Sequence, residues 1–338
     1  MTRADTWENT AKLARDVESV GISGMLHTEA TQVPWMTIAA AAMAAPALHH
    51  CTGIAVAFPR SPMVSAQVAW ELAANTQGQF RLGLGSQVKP HIERRYGCDF
   101  EQPAKRMRDY VLAVKAALRA FRGEGRLEHE GPFYRLTLLT PQWAPVRHDY
   151  EDIKIDMSAV NPLMLKVTGE VADGLHVHPM HSMPYIENRV LPAVTEGAEK
   201  AGRTLDDIDL FVPVLAVAGD TPEERVNMAR EAKTAIGFYG ATPGYAFQFD
   251  DLGYEGTRMK LAEALRAGGR DAVAELVTDE LLDQFGLVAK WDDMADALIA
   301  RYKGIASRVV MYLAKPSIIE NPANLAKWGE IAKAVRAA

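Results

Sequence analysis

The stretch that decides the fold runs from Gly53 to Gly85 and reads Gly53-Ile-Ala-Val-Ala-Phe-Pro-Arg-Ser-Pro-Met-Val-Ser-Ala-Gln-Val-Ala-Trp-Glu-Leu-Ala-Ala-Asn-Thr-Gln-Gly-Gln-Phe-Arg-Leu-Gly-Leu-Gly85. An apolar strand is followed by a loop bracketed by prolines, a helix that opens near Pro62 and a second apolar strand that ends in Gly-x-Gly. This order predicts one β-α-β step of a parallel sheet, because two parallel neighbours need a long crossover between them.

Outward from this step, strand-like and helix-like segments alternate along the chain. The pattern predicts helices over 7–20, 35–45, 62–76 and 103–122, and a last helix that begins at Asn321-Pro322. It predicts strands near 23–27, 52–57, 80–84, 153–157, 174–178, 209–217 and 307–313. We therefore expect one α/β domain over residues 1–338, with two insertions on its loop face, at about 123–150 and 238–288.

Composition narrows the classes of partner. The 338 residues are 48% hydrophobic and 24% charged, which is ordinary for a globular protein, and the net charge of −6 argues against a nucleic-acid surface. The longest apolar stretch, Ile38 to Leu48, is too short to cross a membrane, and the N-terminus has no basic segment followed by a hydrophobic one. Cys51 and Cys98 predict two unpaired thiols in a reducing compartment. The expectation is a cytoplasmic protein whose partner is a small molecule.

Known catalytic fingerprints are few. The chain has no Gly-x-Ser-x-Gly, no Walker phosphate loop and no dinucleotide-binding Gly-x-Gly-x-x-Gly after a strand. His176, His178 and Asp173 resemble a weak metal-ligand set, but no third and fourth donors stand at helical or hairpin spacing, so no metal site is predicted. The basic run Lys89-Pro-His-Ile-Glu-Arg-Arg95 reads as a solvated loop or as a surface for an anionic ligand.

Five blocks carry a resemblance to a known family. They are Gly24-Met-Leu-His-Thr-Glu-Ala30 with Pro34-Trp35, Gly53 to Glu71, Leu82-Gly-Leu-Gly-Ser-Gln87, Gly131-Pro-Phe-Tyr134, and Ser158-Ala-Val-Asn-Pro162 running into Gly169-Glu-Val-Ala-Asp-Gly-Leu-His-Val-His-Pro179. Together these blocks resemble the luciferase-like monooxygenase superfamily, and in particular its coenzyme F420-dependent oxidoreductase branch. The resemblance implies a (β/α)8 TIM-type barrel with the ligand site at the carboxyl ends of the strands.

The same resemblance implies roles for particular residues. Glu29, Trp35 and His178 would surround the reacting face of the cofactor, and a bulge at Ala55-Val56 or one residue later, often with a non-prolyl cis peptide in relatives, would support the ring. The cofactor-binding residues implied in this way are Ala55, Val56, Phe58, Gly85, Ser86, Gln87, Ser158, Ala159, Val160, Asn161, Pro162, His176 and Val177. Of these, residues 158–162 would hold the cofactor phosphate at a helix N-terminus. An unperturbed pKa near 6.5 makes His178 the best candidate general acid or base.

This sequence departs from the family pattern at several positions. Ala30 and Thr31 stand where several relatives have a histidine, Gln87 and Val88 occupy the region of a glutamate found in relatives that handle sugar phosphates, and Asn161 replaces a glycine. The polar segment Met1-Thr-Arg-Ala-Asp-Thr6 stands where relatives have an apolar first strand. Seven strands are therefore predicted where a closed barrel needs eight, and we expect a missing or altered first strand, covered by a displaced loop or a homodimer partner.

The resemblance supports three readings of function. The first is an oxidoreductase that transfers a hydride between coenzyme F420 and a small organic substrate, with the hard chemistry supplied by the cofactor. The second is an FMN-dependent monooxygenase of the same superfamily, since both cofactors share a tricyclic ring and a phosphate. The third is a non-catalytic barrel with a binding or partner role, which the substituted site residues keep open.

Overall fold

Strands and helices alternate over residues 5–338, the part of the chain that the computed structural model describes. The strands are β1 (Gly24–His27), β2 (His49–Thr52), β3 (Ala55–Val56), β4 (Phe80–Gly85), β5 (His129–Glu130), β6 (Arg135–Leu136), β7 (Ile155–Ser158), β8 (Gly174–His176), β9 (Asp209–Ala218), β10 (Gly286–Ala289) and β11 (Arg308–Met311). The helices are α1 (Trp7–Ser19), α2 (Pro34–Ala44), α3 (Pro62–Asn75), α4 (Lys89–Arg94), α5 (Pro103–Phe121), α6 (Pro162–Val171), α7 (Met183–Tyr185), α8 (Leu191–Lys200), α9 (Pro222–Gly240), α10 (Phe247–Asp250), α11 (Thr257–Leu276), α12 (Asp279–Phe285), α13 (Met294–Tyr302), α14 (Ala314–Glu320) and α15 (Asn324–Ala337).

All seven predicted strands and the first four predicted helices are present, so the α/β prediction is confirmed. The strand predicted at 52–57 is divided into β2 and β3, and β10 was not expected. The last helix begins at Asn324 rather than at Asn321-Pro322. Asn321 has extended backbone angles (φ −137°, ψ 102°), and its side-chain oxygen accepts a hydrogen bond from the Ala323 N–H, a local turn that delays the helix.

The chain folds into two compact units. The first contains the described residues up to His176 together with Ala193–Asp209, and the second contains Val177–Pro192 and Leu210–Ala338. Neither unit is a single continuous piece of sequence, because residues 177–192 leave the first unit and residues 193–209 return to it.

The sheet of the first unit is parallel, with strand order β1-β2-β4-β7-β8 and with β3 pairing β4. The register places Cys51 beside Arg81 and Asp156 beside Gly174. All of these strands point the same way, so their carboxyl ends lie at one edge, where an α/β protein holds its ligand. Within the described residues, β1 pairs only with β2.

Helices α6 and α8 pack closely because each carries a glycine that faces the backbone of the other helix. A Cβ added to Gly169 would lie 2.0 Å from the carbonyl oxygen of Val194, and one added to Gly197 would lie 1.9 Å from that of Lys166. Any larger residue at either position would push the two helices apart.

The Gly131-Pro-Phe-Tyr134 motif forms the turn of the β5-β6 hairpin. The carboxylate of Asp109, on α5, accepts hydrogen bonds from the N–H groups of Phe133 and Tyr134 and pairs with His129. A Cβ on Gly131 would lie 1.7 Å from this carboxylate, which explains the glycine. The motif therefore anchors the first insertion and contributes no visible chemistry.

The second unit is built on β9, which is buried over almost its whole length. One edge of β9 pairs in parallel with β11 over Phe211–Val214 and then with β10 over Leu215–Ala218. The predicted insertion at 238–288 consists mainly of α10, α11 and α12, as its helical pattern indicated.

The expectation for Met1–Thr6 falls mostly outside the described residues. Thr6 itself is the N-cap of α1, since its side chain accepts a hydrogen bond from the N–H of Asn9. None of the helices in residues 5–338 combines the length and the apolar character that crossing a bilayer requires.

Candidate active site

Glu29 lies just beyond β1 and is held in place by four donors. Its carboxylate is paired with the guanidinium of Arg60 at 2.7 and 2.8 Å, and it accepts a hydrogen bond of 2.8 Å from the N–H of Val56. The hydroxyl of Tyr96 approaches to 3.5 Å. Only 3% of the Glu29 side chain is exposed. Charge-assisted bonds of this kind are strong where water is excluded, so Glu29 fixes the backbone of β3.

Arg60 joins Glu29 to Trp35. The guanidinium donates to the carbonyl of Val56 at 2.7 Å as well as to Glu29, and it lies 5.6 Å from the centroid of the Trp35 ring, near the start of α2. Glu29 and Trp35 are therefore brought together, as expected. Arg60 was not among the predicted site residues, although it belongs to the Gly53–Glu71 block.

The break between β2 and β3 contains a cis peptide bond at Gly53–Ile54. The expected position, Ala55-Val56 or one residue later, was wrong, because Ala55 and Val56 form β3 and are 1% and 0% exposed. A Cβ on Gly85 would lie 2.6 Å from Oγ of Ser158 and 2.7 Å from Cδ1 of Ile54. Ile54, Gly85 and Ser158 thus meet at the carboxyl edge of the sheet.

Phe58 is buried in the loop between β3 and α3. Its ring makes an edge contact with Phe100 at 5.9 Å, and the guanidinium of Arg106, on α5, lies 4.5 Å from its centroid. These contacts pack Phe58 against α5, and its expected cofactor-binding role stays a prediction.

The turn after β4 contains the predicted residues Ser86 and Gln87. Oγ of Ser86 donates to the carbonyl of Gln87, and Gln87 has a left-handed backbone (φ 58°) with its side-chain oxygen accepting from the Val88 N–H. Helix α4 follows immediately, and it carries exposed Lys89 and Arg94. A basic helix therefore stands at the carboxyl edge of the sheet.

The turn after β7 leads from Ser158 through Ala159 and Val160 into α6. Asn161 is the N-cap with extended angles (φ −90°, ψ 153°), so it needs no left-handed conformation to replace a glycine. Its side chain makes no capping hydrogen bond, Pro162 is the first helical residue, and the first turn has no acidic residue. Leu163 is 71% exposed. The uncapped N–H groups of this helix start are suited to an anion.

His176 is buried in a polar cluster. Its Nε2 lies 3.5 Å from Sγ of Cys51 and 3.4 Å from Oδ2 of Asp156, and the cysteine and aspartate atoms are 3.7 Å apart. Arg81 is paired with the Asp156 carboxylate at 2.6 and 2.9 Å and with Asp209 at 2.8 Å. Burial opposes ionisation of Asp156, but hydrogen bonds from His176 and Arg81 outweigh it and lower its pKa. The sequence predicted that His176 binds the cofactor, and it did not predict that His176 joins Cys51 and Asp156 in a buried cluster.

Val177 and His178 begin the first segment of the second unit. The N–H of Val177 donates to the carbonyl of Phe211, and its side chain is buried. The His178 ring lies between Tyr239 and Tyr245, with both ring centroids 4.6 Å away.

The electrostatic environment of His178 differs from the expectation. Burial lowers its pKa to about 4, so the assumption of an ordinary pKa near 6.5 was wrong and the ring is neutral at pH 7. Its Nδ1 lies 3.1 Å from the N–H of Met180, which donates to it, and 3.4 Å from the carbonyl of Met180. The shorter of the two contacts favours the tautomer with the ring proton on Nε2. In this tautomer His178 offers a hydrogen-bond donor rather than a base.

Sequence and structure comparisons now identify the family. The luciferase-like monooxygenase family model matches residues 1–308. An uncharacterised protein of Mycobacterium tuberculosis is 33% identical over 300 residues, which are 89% of this chain and 88% of the relative. A putative coenzyme F420-dependent oxidoreductase of the same organism is 26% identical over 249 residues, 69% of this chain and 70% of the relative.

A solved structure extends the likeness to the fold. The coenzyme F420-dependent tetrahydromethanopterin reductase from Methanopyrus kandleri superposes with a TM-score of 0.78 at 21% identity, over 96% of this chain and 94% of that one. The TIM-type α/β fold expected from the sequence is thereby confirmed. The family match covers most of the chain, and this chain belongs to the luciferase-like monooxygenase family.

Proposed function

We propose that this protein is a coenzyme F420-dependent oxidoreductase that transfers a hydride between the deazaflavin and a small organic substrate. Deazaflavin and flavin cofactors share a tricyclic ring and a phosphate, so these shared parts do not distinguish F420 from FMN. The observation that carries the preference for F420 is the basic helix α4 at the carboxyl end of β4, because the polyglutamate tail of F420 is anionic and FMN has no such tail.

The start of α6 fits the phosphate. The helix is ten residues long, its N-cap side chain makes no capping bond, and no carboxylate stands in its first turn. Phosphate groups bind at such positions because backbone N–H groups and the helix dipole both favour negative charge. The neighbouring strand β4 ends in Gly85, whose missing side chain leaves room beside Ser158.

Helix α4 carries positive charges that would bind the polyglutamate tail of F420. Lys89, His91 and Arg94 are exposed, and the one acidic residue of the helix, Glu93, lies 3.6 Å from Lys89. Arg95 follows the helix and donates to the carbonyl of Ala30. Exposed cations of this kind contribute modestly one by one, and salt screens them.

In this proposal the residues of the chain position the reactants, while the bound deazaflavin supplies the hydride chemistry. Glu29 and Arg60 hold the backbone of Val56 and thereby β3, next to the break between β2 and β3 on which the ring would rest. The ring of Trp35 lies beside the Arg60 guanidinium, 5.6 Å from it, and would adjoin the same edge. The role expected for His178, which belongs to the second unit, stays a prediction.

The test is a fluorescence titration of the purified protein with F420 and with FMN, at low and at high salt. We expect F420 to bind at micromolar concentration or below, about −8 kcal/mol or stronger, and more tightly than FMN. Lys89→Gln combined with Arg94→Gln should weaken F420 binding roughly tenfold and leave FMN binding unchanged. FMN binding that equals or exceeds F420 binding would favour the monooxygenase reading, and binding of neither would favour a non-catalytic role.

A second pair of variants tests the phosphate position. Asn161→Asp keeps a good N-cap but places a negative charge where the phosphate would lie, and it should weaken both cofactors by roughly tenfold. Thr221→Asp, at the N-cap of α9, changes the net charge equally at another helix start and should have no effect. Unchanged affinity in Asn161→Asp would remove the start of α6 from the site.

Two further expectations remain proposals. A homodimer is supported by α2, an eleven-residue helix without charged residues on which Met36 and Met43 are 50% and 89% exposed. Sedimentation analysis of the wild type and of Met43→Lys tests it, with a monomeric variant as the expected result. Cys51 and Cys98 are not joined in a disulfide, which supports a reducing, cytoplasmic location.

A further inference from the structure

A buried cluster beneath the proposed cofactor edge contains three different metal-ligating side chains. Cys51 on β2, Asp156 on β7 and His176 on β8 are 6%, 0% and 5% exposed. Asp156 and Cys51 each lie two residues before a residue that the site already uses, namely Ser158 and Gly53. The cluster thus lies within the sheet of the first unit, one layer below its carboxyl edge.

The distances between the donor atoms suit a tetrahedral metal ion. Sγ of Cys51, Nε2 of His176 and Oδ2 of Asp156 form a triangle with sides of 3.5, 3.4 and 3.7 Å. Zinc bonds of about 2.3 Å to sulfur and about 2.0–2.2 Å to nitrogen and oxygen, at tetrahedral angles, give ligand separations of roughly 3.4–3.6 Å. A metal ion can therefore bind all three atoms with little movement of the side chains.

The charges of the cluster also suit a divalent cation. The carboxylates of Asp156 and Asp209 face one guanidinium, that of Arg81, which leaves one negative charge in excess. Loss of the Cys51 proton would add a second. One divalent ion then brings these four side chains to neutrality, although Asp209, at 42% exposed, can also be compensated by solvent.

Arg81 is compatible with this arrangement. Its guanidinium binds Oδ1 of Asp156 at 2.6 Å and Oδ2 at 2.9 Å, and a carboxylate oxygen has a second lone pair for a metal. Hydrogen-bonded partners of this kind orient the ligating carboxylate in metal sites. A Cβ on Gly83 would lie 3.1 Å from Nε2 of His176, so the glycine keeps space beside that atom.

We propose that Cys51, Asp156 and His176 bind a divalent metal ion of the zinc class. Thiolate, imidazole and carboxylate together favour zinc or cobalt over magnesium or calcium, which prefer oxygen ligands alone. With three protein ligands, the fourth position belongs to a water molecule or a small anion. The site joins three strands that are distant in sequence, and it is independent of the choice between F420 and FMN.

The test uses the full chain, produced in defined medium supplemented with cobalt and purified without a histidine tag. Elemental analysis should give about one cobalt per chain, and the absorption spectrum should contain a thiolate-to-cobalt charge-transfer band in the near ultraviolet. Cys51→Ser should abolish the band, and Cys51→Ser and His176→Gln should each reduce bound metal by roughly tenfold or more. Cys98→Ser is the matched control and should retain both metal and band, because Cys98 lies outside the cluster.

The Cys98→Ser variant also decides the question if the other variants do not fold. If circular dichroism finds Cys51→Ser or His176→Gln unfolded, the band in Cys98→Ser decides the question, because Cys51 is then the only thiol of the chain. Wild-type protein that contains less than about a tenth of a metal ion per chain would overturn the proposal. A band that persists in folded Cys51→Ser, or that disappears in Cys98→Ser, would overturn it as well.

Discussion

Separating Glu29 from Arg60 should cost more than any exposed ion pair of this chain. The two side chains are 3% and 16% exposed and make two contacts of 2.7 and 2.8 Å. Arg60→Met leaves the carboxylate buried with the N–H of Val56 as its main donor. Removing one partner of a buried pair costs about 3–5 kcal/mol, so we expect the free energy of unfolding to fall by roughly 3 kcal/mol.

A double-mutant cycle isolates the interaction. Glu29→Gln should also destabilise the protein, because it leaves the guanidinium buried without its anion, whereas the double variant loses both charges together. We expect a coupling energy of about 2 kcal/mol, measured by urea unfolding at pH 7. The exposed pair Lys166–Glu196 serves as the control and should give less than about 1 kcal/mol. Single effects that add in the double variant to within about 0.5 kcal/mol would refute the role of this pair.

Two further predictions concern packing and pH. Gly83→Ala should lower the free energy of unfolding by roughly 3 kcal/mol, because the new Cβ would lie 1.9 Å from the carbonyl oxygen of Thr52. The control is Gly244→Ala, whose new Cβ would have no neighbouring atom within 4 Å and which should change the free energy of unfolding by less than about 0.5 kcal/mol. Equal effects of the two substitutions in urea unfolding would contradict this explanation. Burial lowers the pKa values of His50 and His181 to about 4, so the unfolded chain binds protons first as the pH falls. The free energy of unfolding should therefore decrease as the pH falls from 6.5 to 4, and the loss from pH 7 to pH 5 should be about 2 kcal/mol per histidine. A free energy of unfolding that does not change over this range would show that these rings titrate normally.

The sequence predicted seven of the strands and the helices α1, α2, α3 and α5 because their signals are local. The apolar run that ends in Gly83-Leu-Gly85 marked β4, and Pro62 marked the start of α3. The grouping of Glu29 with Trp35 followed from the family pattern and is present in the structure.

What the sequence could not predict depends on contacts between distant residues. Cys51 and Asp156 are 105 positions apart and meet only because β2 and β7 both flank β4. The pKa of His178 is set by its burial beside Tyr239 and Tyr245, which belong to a segment more than fifty residues further along the chain. The cis peptide at Gly53–Ile54 lies two residues before the bulge expected from the family resemblance, which did not fix the position of the break between β2 and β3.

The interleaved course of the chain bears on the order in which its parts can form during synthesis. A nascent chain that has emerged only as far as His176 already contains β1 to β8, yet it lacks α8, which covers Gly169 on α6. It also lacks Asp209, the second carboxylate of Arg81. The N-terminal half therefore stays incomplete on the ribosome until about 33 more residues have followed, from Val177 to Asp209, and a truncation at the end of β8 would leave an apolar helix face uncovered.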